Sequence, residues 1–341
     1  MNEVLAREAR WYERLEGNKV RCHLCAHRCL INEGKLGICQ VRKNEAGTLM
    51  TLVYGRAISQ NVDPIEKKPL FHVMPGSLSY SIATPGCNFR CLFCQNADIS
   101  QMPRERHLVM GREATPAQIV EMARRRDCRS IAYTYTEPTI FSEYAYDVAV
   151  LAHEAGLLNV YVTNGYMTRE LLDDLHPYLD AANVDLKSFR DEFYRRLCGA
   201  HLEPVLDSLR AMKELGIWVE VTTLVIPGEN DDEDELREIA AFIAGELGVE
   251  TPWHVSRFHP TYKMLDRPVT PWQTLERAGR IGRQAGLRYV YIGNVPGQGE
   301  TTFCHHCGAP LIERVGFHVS SYRLSDGKCE QCGTPVAGIG L

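Results

Sequence analysis

Three cysteines in one loop constrain this chain more than any other feature. They lie in Thr84-Pro85-Gly86-Cys87-Asn88-Phe89-Arg90-Cys91-Leu92-Phe93-Cys94, a C-x3-C-x2-C spacing directly after a strand-like run, Leu78 to Ala83. Three thiolates hold three irons of a [4Fe-4S] cube, whose irons are normally all cysteine-ligated, so the fourth iron stays open. Structural zinc is the competing occupant, but it takes four ligands. Neither Cys128 nor Cys198 offers a local fourth.

An open iron on a low-potential cluster is a place where a molecule chelates and takes an electron, and S-adenosylmethionine stands beside Fe-S centres among the carriers of radical chemistry. Cys87, Cys91 and Cys94, with Phe93 just before the last cysteine, resemble the signature of radical S-adenosylmethionine (radical SAM) enzymes. The resemblance implies that the three cysteines bind the catalytic cluster and that Phe93 packs near the adenine.

Eleven of the thirteen cysteines fall into three spaced sets: Cys22, Cys25, Cys29, Cys39; Cys87, Cys91, Cys94; and Cys304, Cys307, Cys329, Cys332. In a cytosolic protein such sets indicate metal sites, because disulfides do not persist there. Cys128 and Cys198 are left as small core residues. The pattern predicts a short amphipathic N-terminal helix with Leu5, Trp11 and Leu15, leading into C-x2-C-x3-C-x9-C, with His23 and His27 between the thiols and Gly34 and Gly37 allowing a tight return. Zinc and a [4Fe-4S] cluster both accept four thiolates, so ligand count does not choose between them. An auxiliary cluster is favoured because the neighbouring domain needs electrons.

At the other end, Cys304-His305-His306-Cys307-Gly308 and Cys329-Glu330-Gln331-Cys332-Gly333 are two knuckles separated by 21 residues. That is close to the spacing of paired zinc half-sites, about 15 to 20 residues apart. A zinc ribbon is expected, with strand residues between Leu311 and Val319; a rubredoxin-like iron is the alternative. So small a ribbon has too little core to fold without its metal.

Net charge is -5, which lacks the basic footprint of a nucleic-acid binder. The run Arg124-Arg125-Arg126 closes an expected helix, where cations complement the dipole; the alternative is a dock for an acidic electron donor. No apolar stretch is long enough to span a membrane, and the charged N-terminus is unlike a signal peptide, so a cytoplasmic protein is expected.

Between residues 76 and 295 strand-like runs (78–84, 129–134, 158–163, 182–186, 217–225, 252–258, 288–293) alternate with helix-like runs (115–126, 139–155, 168–179, 203–215, 231–246, 271–285). Alternation of this kind means parallel strands joined by right-handed helical crossovers. The expected fold is α/β, a partial (β/α) barrel over 76–295, with a four-cysteine segment over 1–75 and a zinc-ribbon-like unit over 296–341. Thr115-Pro116 and the acidic run Asn230 to Glu235 mark helix starts. Prolines 64 and 69 bracket a charged segment that is neither a central strand nor a long helix; it is either solvated surface or a loop crossing the cluster face.

In parallel α/β folds the ligand site lies beyond the carboxyl ends of the strands. There stand Tyr135-Thr136-Glu137, Thr163-Asn164-Gly165, Asp185-Leu186-Lys187, Ile226-Pro227-Gly228 and His254. Tyr135-Thr136-Glu137 lies where radical SAM enzymes carry a Gly-Gly-Glu stretch facing the methionyl ammonium. Thr163-Asn164-Gly165, Asp185-Leu186-Lys187 and Ile226-Pro227-Gly228 look like elements of glycyl-radical-enzyme activases, with Val162 where those often place an aspartate. The resemblance therefore implies cofactor contacts at Phe93, Tyr135, Thr136, Glu137, Thr163, Asn164, Asp185 and Lys187. His254 is a further candidate, against a purely structural role.

With both flanking cysteine sets and Asp63-Pro64-Ile65-Glu66-Lys67-Lys68-Pro69-Leu70, nearly the whole chain resembles the radical enzyme of the AmmeMemoRadiSam system, a family related to pyruvate formate-lyase activating enzymes. This implies reductive cleavage of S-adenosylmethionine to a 5′-deoxyadenosyl radical, a flavodoxin or ferredoxin as low-potential donor, and a protein or peptide among the candidate substrates. The rival is a non-catalytic metal-binding interaction module. A structural protein has no need of three-cysteine ligation or of polar residues at strand ends.

Overall fold

The computed structural model describes residues 6–295 and 297–341. An eight-stranded sheet forms its centre. Strand β1 (Ser59–Pro64) runs antiparallel to β2 (Leu78–Ala83), and then β3 (Ser130–Tyr133), β4 (Leu158–Thr163), β5 (Ala181–Asp185), β6 (Trp218–Val225), β7 (Trp253–Arg257) and β8 (Val290–Gly293) follow in parallel and in chain order. Helices α1 (Pro116–Arg125), α2 (Ser142–Glu154), α3 (Arg169–Leu175), α4 (Glu203–Glu214), α5 (Glu233–Phe242) and α6 (Trp272–Gln284) make the successive crossovers. The seven parallel strands and six crossover helices of the α/β partial barrel are thus as expected, while the antiparallel edge strand β1 was not among the expected strands. Both faces of the strands are covered, which is why β3 is buried along its whole length.

Local chemistry sets the helix starts. Thr115 and Gln118 form a reciprocal capping box ahead of Pro116. Asp232 accepts from the Asp234 and Glu235 amides and so starts α5 inside the acidic run. One member of that run turns inward: buried Glu235 accepts from the Phe189 amide at 2.8 Å and organises the loop after β5.

The N-terminal helix is a correction. Leu5 lies outside the described residues, and Tyr12–Leu15 is a strand paired antiparallel with Lys19–Cys22. Gly17 and Asn18, both at positive φ, turn the chain back between them. A Gly-Asn turn signal therefore outweighs an apolar spacing that only three residues carried. Buried Trp11 and Val20 join the barrel's own core.

The segment around Pro64 forms the antiparallel edge strand and a single 3-10 turn, Ile65–Lys67. Asp63, Glu66 and Lys68 are buried rather than solvated, and only Lys67 of its charges is exposed. Asp63 accepts from Lys68 Nζ at 2.6 Å, Lys67 Nζ at 2.9 Å and Ser81 Oγ at 2.8 Å, and also from the Tyr135 hydroxyl. Burial opposes the carboxylate, but these donors hold its pKa below the usual value. Burial lowers the Lys68 ammonium to about 8 against the pull of Asp63.

The C-terminal unit, with strands Thr302–Phe303, Pro310–Val315 and His318–Tyr322, is fastened to this segment and to β8. Buried His72 bridges the Ala337 carbonyl and the Tyr291 hydroxyl, each at 2.7 Å. Burial lowers its pKa to about 4. An unfolded histidine binds its proton near 6.5, so between about 6.5 and 4 the unfolded chain holds more protons than the folded one. Stability is expected to fall across that window as pH drops, by about 3 kcal/mol in all. Denaturant titrations from pH 7 to 4 check this, and His72→Gln is expected to flatten the slope.

Candidate functional site

Beyond the carboxyl ends of the parallel strands lies a cavity of about 520 Å³, within the range of small-molecule sites. Cys87, Cys91 and Cys94 share its wall with Phe93, Tyr135, Thr136, Glu137, Thr163, Asn164, Asp185, Lys187 and His254. The structure therefore gathers these residues on one cavity, while Ile226, Pro227 and Gly228 are not part of its wall.

The cysteine loop is held by backbone bonds from an unexpected neighbour. The Arg90 amide donates to the Cys198 carbonyl at 2.8 Å and the Leu92 amide to the Leu197 carbonyl at 3.0 Å. The neighbouring buried Cys198 thiol pulls Cys91 below its ordinary pKa, against burial. Cys198 thus braces the cluster loop, a role its isolated position in the sequence did not signal. Cys128 is a buried core residue.

Burial, and then the charges of Glu137, Cys91 and Cys94, push the Cys87 thiol well above its ordinary value. Thiolates gathered this way need a cation between them, which an iron cluster supplies. The donor set and the cavity beside it fit a three-cysteine [4Fe-4S] centre and a ligand next to it.

The Glu137 carboxylate is buried and fully engaged. One oxygen accepts from Thr139 N at 3.1 Å, Thr139 Oγ1 at 2.5 Å and Thr163 Oγ1 at 2.6 Å, and the other from Asn164 N at 2.8 Å. Burial raises its pKa against those donors. Asn164 in turn donates to Asn88 Oδ1 at 2.8 Å, next to Cys87. Glu137 therefore clamps the turn after β4 onto the cysteine loop.

Lys187 Nζ donates to Asp185 Oδ2 at 2.7 Å and lies 5.9 Å from the Phe93 ring centre. Burial opposes the ammonium, but Asp185 and the Cys91 and Cys198 sulfurs outweigh it and raise its pKa well above normal. Among the described residues no protein donor reaches Asp185 Oδ1, so this acid keeps an oxygen for a ligand. Thr136 Oγ1 donates to the Thr84 carbonyl at 2.8 Å, tying the ends of β2 and β3. Tyr135, at positive φ, sends its ring over Lys68 and its hydroxyl to Asp63.

His254 is bonded through Nε2 to buried Glu220 at 2.6 Å, and Glu220 also accepts from the Phe71 and His72 amides at 3.0 and 2.8 Å. Burial opposes the Glu220 carboxylate, but His254 and His72 hold its pKa below normal. The histidine forms the floor of the cavity and anchors the 71–72 turn. Glu66, Lys67 and Lys68 also line the cavity, and Phe317 of the C-terminal unit stands at its rim.

In the C-terminal unit the Cys304 and Cys332 sulfurs lie 3.6 Å apart and those of Cys307 and Cys329 3.7 Å apart, with all four within 4.8 Å of one another. A tetrahedron of thiolates 2.3 Å from zinc has edges of about 3.8 Å. The four can hold a metal ion. Among the described residues no helix is long and apolar enough to cross a membrane.

Comparison with known proteins agrees with this geometry. Residues 81–242 match the family profile described as Radical SAM superfamily. The chain is similar, at 50% identity over 333 residues covering 97% of it and 98% of the relative, to the uncharacterized protein MJ0808 of Methanocaldococcus jannaschii. It is 24% identical to the pyruvate formate-lyase-activating enzyme of Clostridium pasteurianum over 53% of this chain and 80% of that one. A radical SAM methyltransferase from Sphaerobacter thermophilus shares the fold, with a TM-score of 0.51 at 17% identity over 69% of this chain and 71% of the other. The chain thus carries a radical SAM superfamily domain over residues 81–242, a domain that implies S-adenosylmethionine and a [4Fe-4S] cluster.

Proposed function

We propose that the protein acts on a partner protein or peptide by hydrogen abstraction, as an enzyme of the AmmeMemoRadiSam type related to glycyl-radical-enzyme activases. When bound, the cluster and S-adenosylmethionine supply a 5′-deoxyadenosyl radical by reductive cleavage. The observation that carries the reading is the shared wall: Cys87, Cys91 and Cys94 stand on the same cavity as the strand-end polar residues.

Each side chain has a stated task. Cys87, Cys91 and Cys94 hold three irons. Phe93, with Lys187 beside its ring, would pack against the adenine. Asp185 would offer its other oxygen to a donor on the cofactor, either the ammonium or a ribose hydroxyl. Glu137, Thr163 and Asn164 fix the turn that faces the cluster, Tyr135 and Thr136 hold the loop after β3, and His254 closes the floor. By task the chain divides into a four-cysteine segment (1–75), which also lends β1 to the sheet, the barrel (76–295) and a zinc-bearing C-terminal unit (296–341), with residues 1–5 and Pro296 outside the described residues. Zinc is supported by the sulfur spacing.

A basic recess holding Arg90, Arg104, Arg195 and Arg196 opens beside the cysteine loop. With Glu192 also on its wall and Arg196 paired to Glu229, it is a second candidate dock for an acidic flavodoxin or ferredoxin beside Arg124 to Arg126, where Arg125 pairs with Glu121. A related enzyme named for activating pyruvate formate-lyase supports a protein as substrate.

The test is anaerobic reconstitution followed by dithionite and S-adenosylmethionine. Wild type is expected to release 5′-deoxyadenosine and Cys91→Ala none above background. No product from fully loaded wild type supplied with co-purifying partner proteins would favour the interaction-module reading.

A further inference from the structure

Cys22 ends a strand, its amide bonded to the Cys29 carbonyl at 3.0 Å, and Cys25 pairs with Met167 of the barrel in an isolated bridge. Cys39 lies within a turn closed by the Gln40 side chain on the Gly37 carbonyl at 2.9 Å. These local bonds bring all four cysteines onto one pocket whose wall is largely apolar, with Leu24, Ile31 and Ile140, apart from His27 and Arg42. Negative charges gathered in such a place are not stable without a metal.

The spacing of the sulfurs separates the two metals that accept four thiolates. The C-terminal set closes to within 4.8 Å, as zinc requires. Among the described residues no three of Cys22, Cys25, Cys29 and Cys39 approach one another that closely. The same is true of Cys87, Cys91 and Cys94, which in this superfamily surround an iron-sulfur cube. A cube holds each thiolate on a different iron and so spreads the sulfurs apart; a single zinc draws them together.

The pocket also holds a donor that the protein leaves unused. Arg42, 1% exposed, gives Nη1 and Nη2 to the Glu143 carboxylate at 2.9 and 2.8 Å, while its Nε has no partner. Arg42 lines the same pocket as the four cysteines. A buried N–H without an acceptor is costly, and cluster sulfurs are acceptors.

We propose that Cys22, Cys25, Cys29 and Cys39 ligate a second [4Fe-4S] cluster, closed at all four corners, with Arg42 as a hydrogen-bond donor to its sulfurs. A donor aimed at the cluster favours the more negative, reduced form and raises the reduction potential. The site sits against the first cluster loop. His27 Nε2 bonds to the Asn88 carbonyl at 2.9 Å, and a Cβ placed on Gly86, the neighbour of Cys87, would lie 3.4 Å from the Cys39 carbonyl oxygen.

The assignment does not rest on the radical reading, and its test keeps the two apart. The full chain carrying Cys87→Ala, Cys91→Ala and Cys94→Ala cannot make the radical, yet after anaerobic reconstitution it is expected to keep about four irons and four sulfides per chain. Two zinc ions and no acid-labile sulfide in that variant would overturn the proposal. Should the variant not fold, wild type decides: about eight irons are expected, and about four irons with two zinc ions would overturn it. Arg42→Lys, which keeps the positive charge but removes Nε, is expected to lower the midpoint potential of the N-terminal cluster in an EPR-monitored titration. An unchanged potential would remove Arg42 from the site.

Discussion

Glu137→Gln is expected to cut 5′-deoxyadenosine formation by about 10²-fold while iron content stays at the wild-type level. The native carboxylate accepts four hydrogen bonds, from Thr139 N, Thr139 Oγ1, Thr163 Oγ1 and Asn164 N. An amide of the same shape has one accepting oxygen and turns an NH₂ toward donors. Each buried donor left facing a donor costs about 1–3 kcal/mol, and the least expensive relief is for the turn after β4 to move. Asn164 on that turn is bonded to Asn88 beside Cys87, so the movement displaces the ligand's wall relative to the irons. A misplacement of about 1 Å is enough for a loss of that size. Iron analysis, equilibrium binding of S-adenosylmethionine and product yield separate the outcomes: lost iron would place Glu137 in cluster assembly, and unchanged yield would free the turn of any role in the chemistry.

Arg314→Ala is expected to destabilise the protein by about 3–5 kcal/mol, read as a lower denaturant midpoint. The Arg314 side chain is fully buried in the C-terminal unit, and its guanidinium donates to the Phe71 carbonyl at 2.7 Å, Thr302 Oγ1 at 2.9 Å and the Glu300 carbonyl at 3.1 Å. It also faces Glu66, 3.5 Å away, and lies over the Phe71 ring at 4.3 Å. Burial raises the Glu66 carboxyl above its ordinary pKa, with Arg314 pulling the other way. Truncating the arginine strands that carboxylate and two carbonyls in a dry interior. Adding Glu66→Gln is expected to recover part of the loss by removing the stranded charge; a double variant no more stable than Arg314→Ala would assign the loss to packing against Phe71 instead.

Much of the barrel was legible before any coordinates. Runs such as Leu158–Thr163 are too short and too β-branched for helix, and the segments between them have helical length and capped starts. The cluster loop was legible because metal ligation demands a residue type and a local spacing together. The N-terminal hairpin was misread because a two-fold and a 3.6-fold apolar pattern are nearly indistinguishable over so few residues. Asn88, Cys198 and Glu220 were invisible as partners, since each acts on a residue tens of positions away.

From the amino-acid order alone came the parallel α/β framework, the three cysteine sets and the strand ends on which polar residues would gather. These follow from short-range rules: side-chain periodicity, turn residues and ligand spacing. Only the tertiary structure decided that Glu137 has no oxygen to spare while Asp185 does, that Arg42 is a buried donor with an idle Nε, and that the C-terminal sulfurs are drawn together while the other two sets stay apart. Such facts depend on which distant segments share a dry interior, where every donor, acceptor and charge must find a partner, and local spacing carries no record of that.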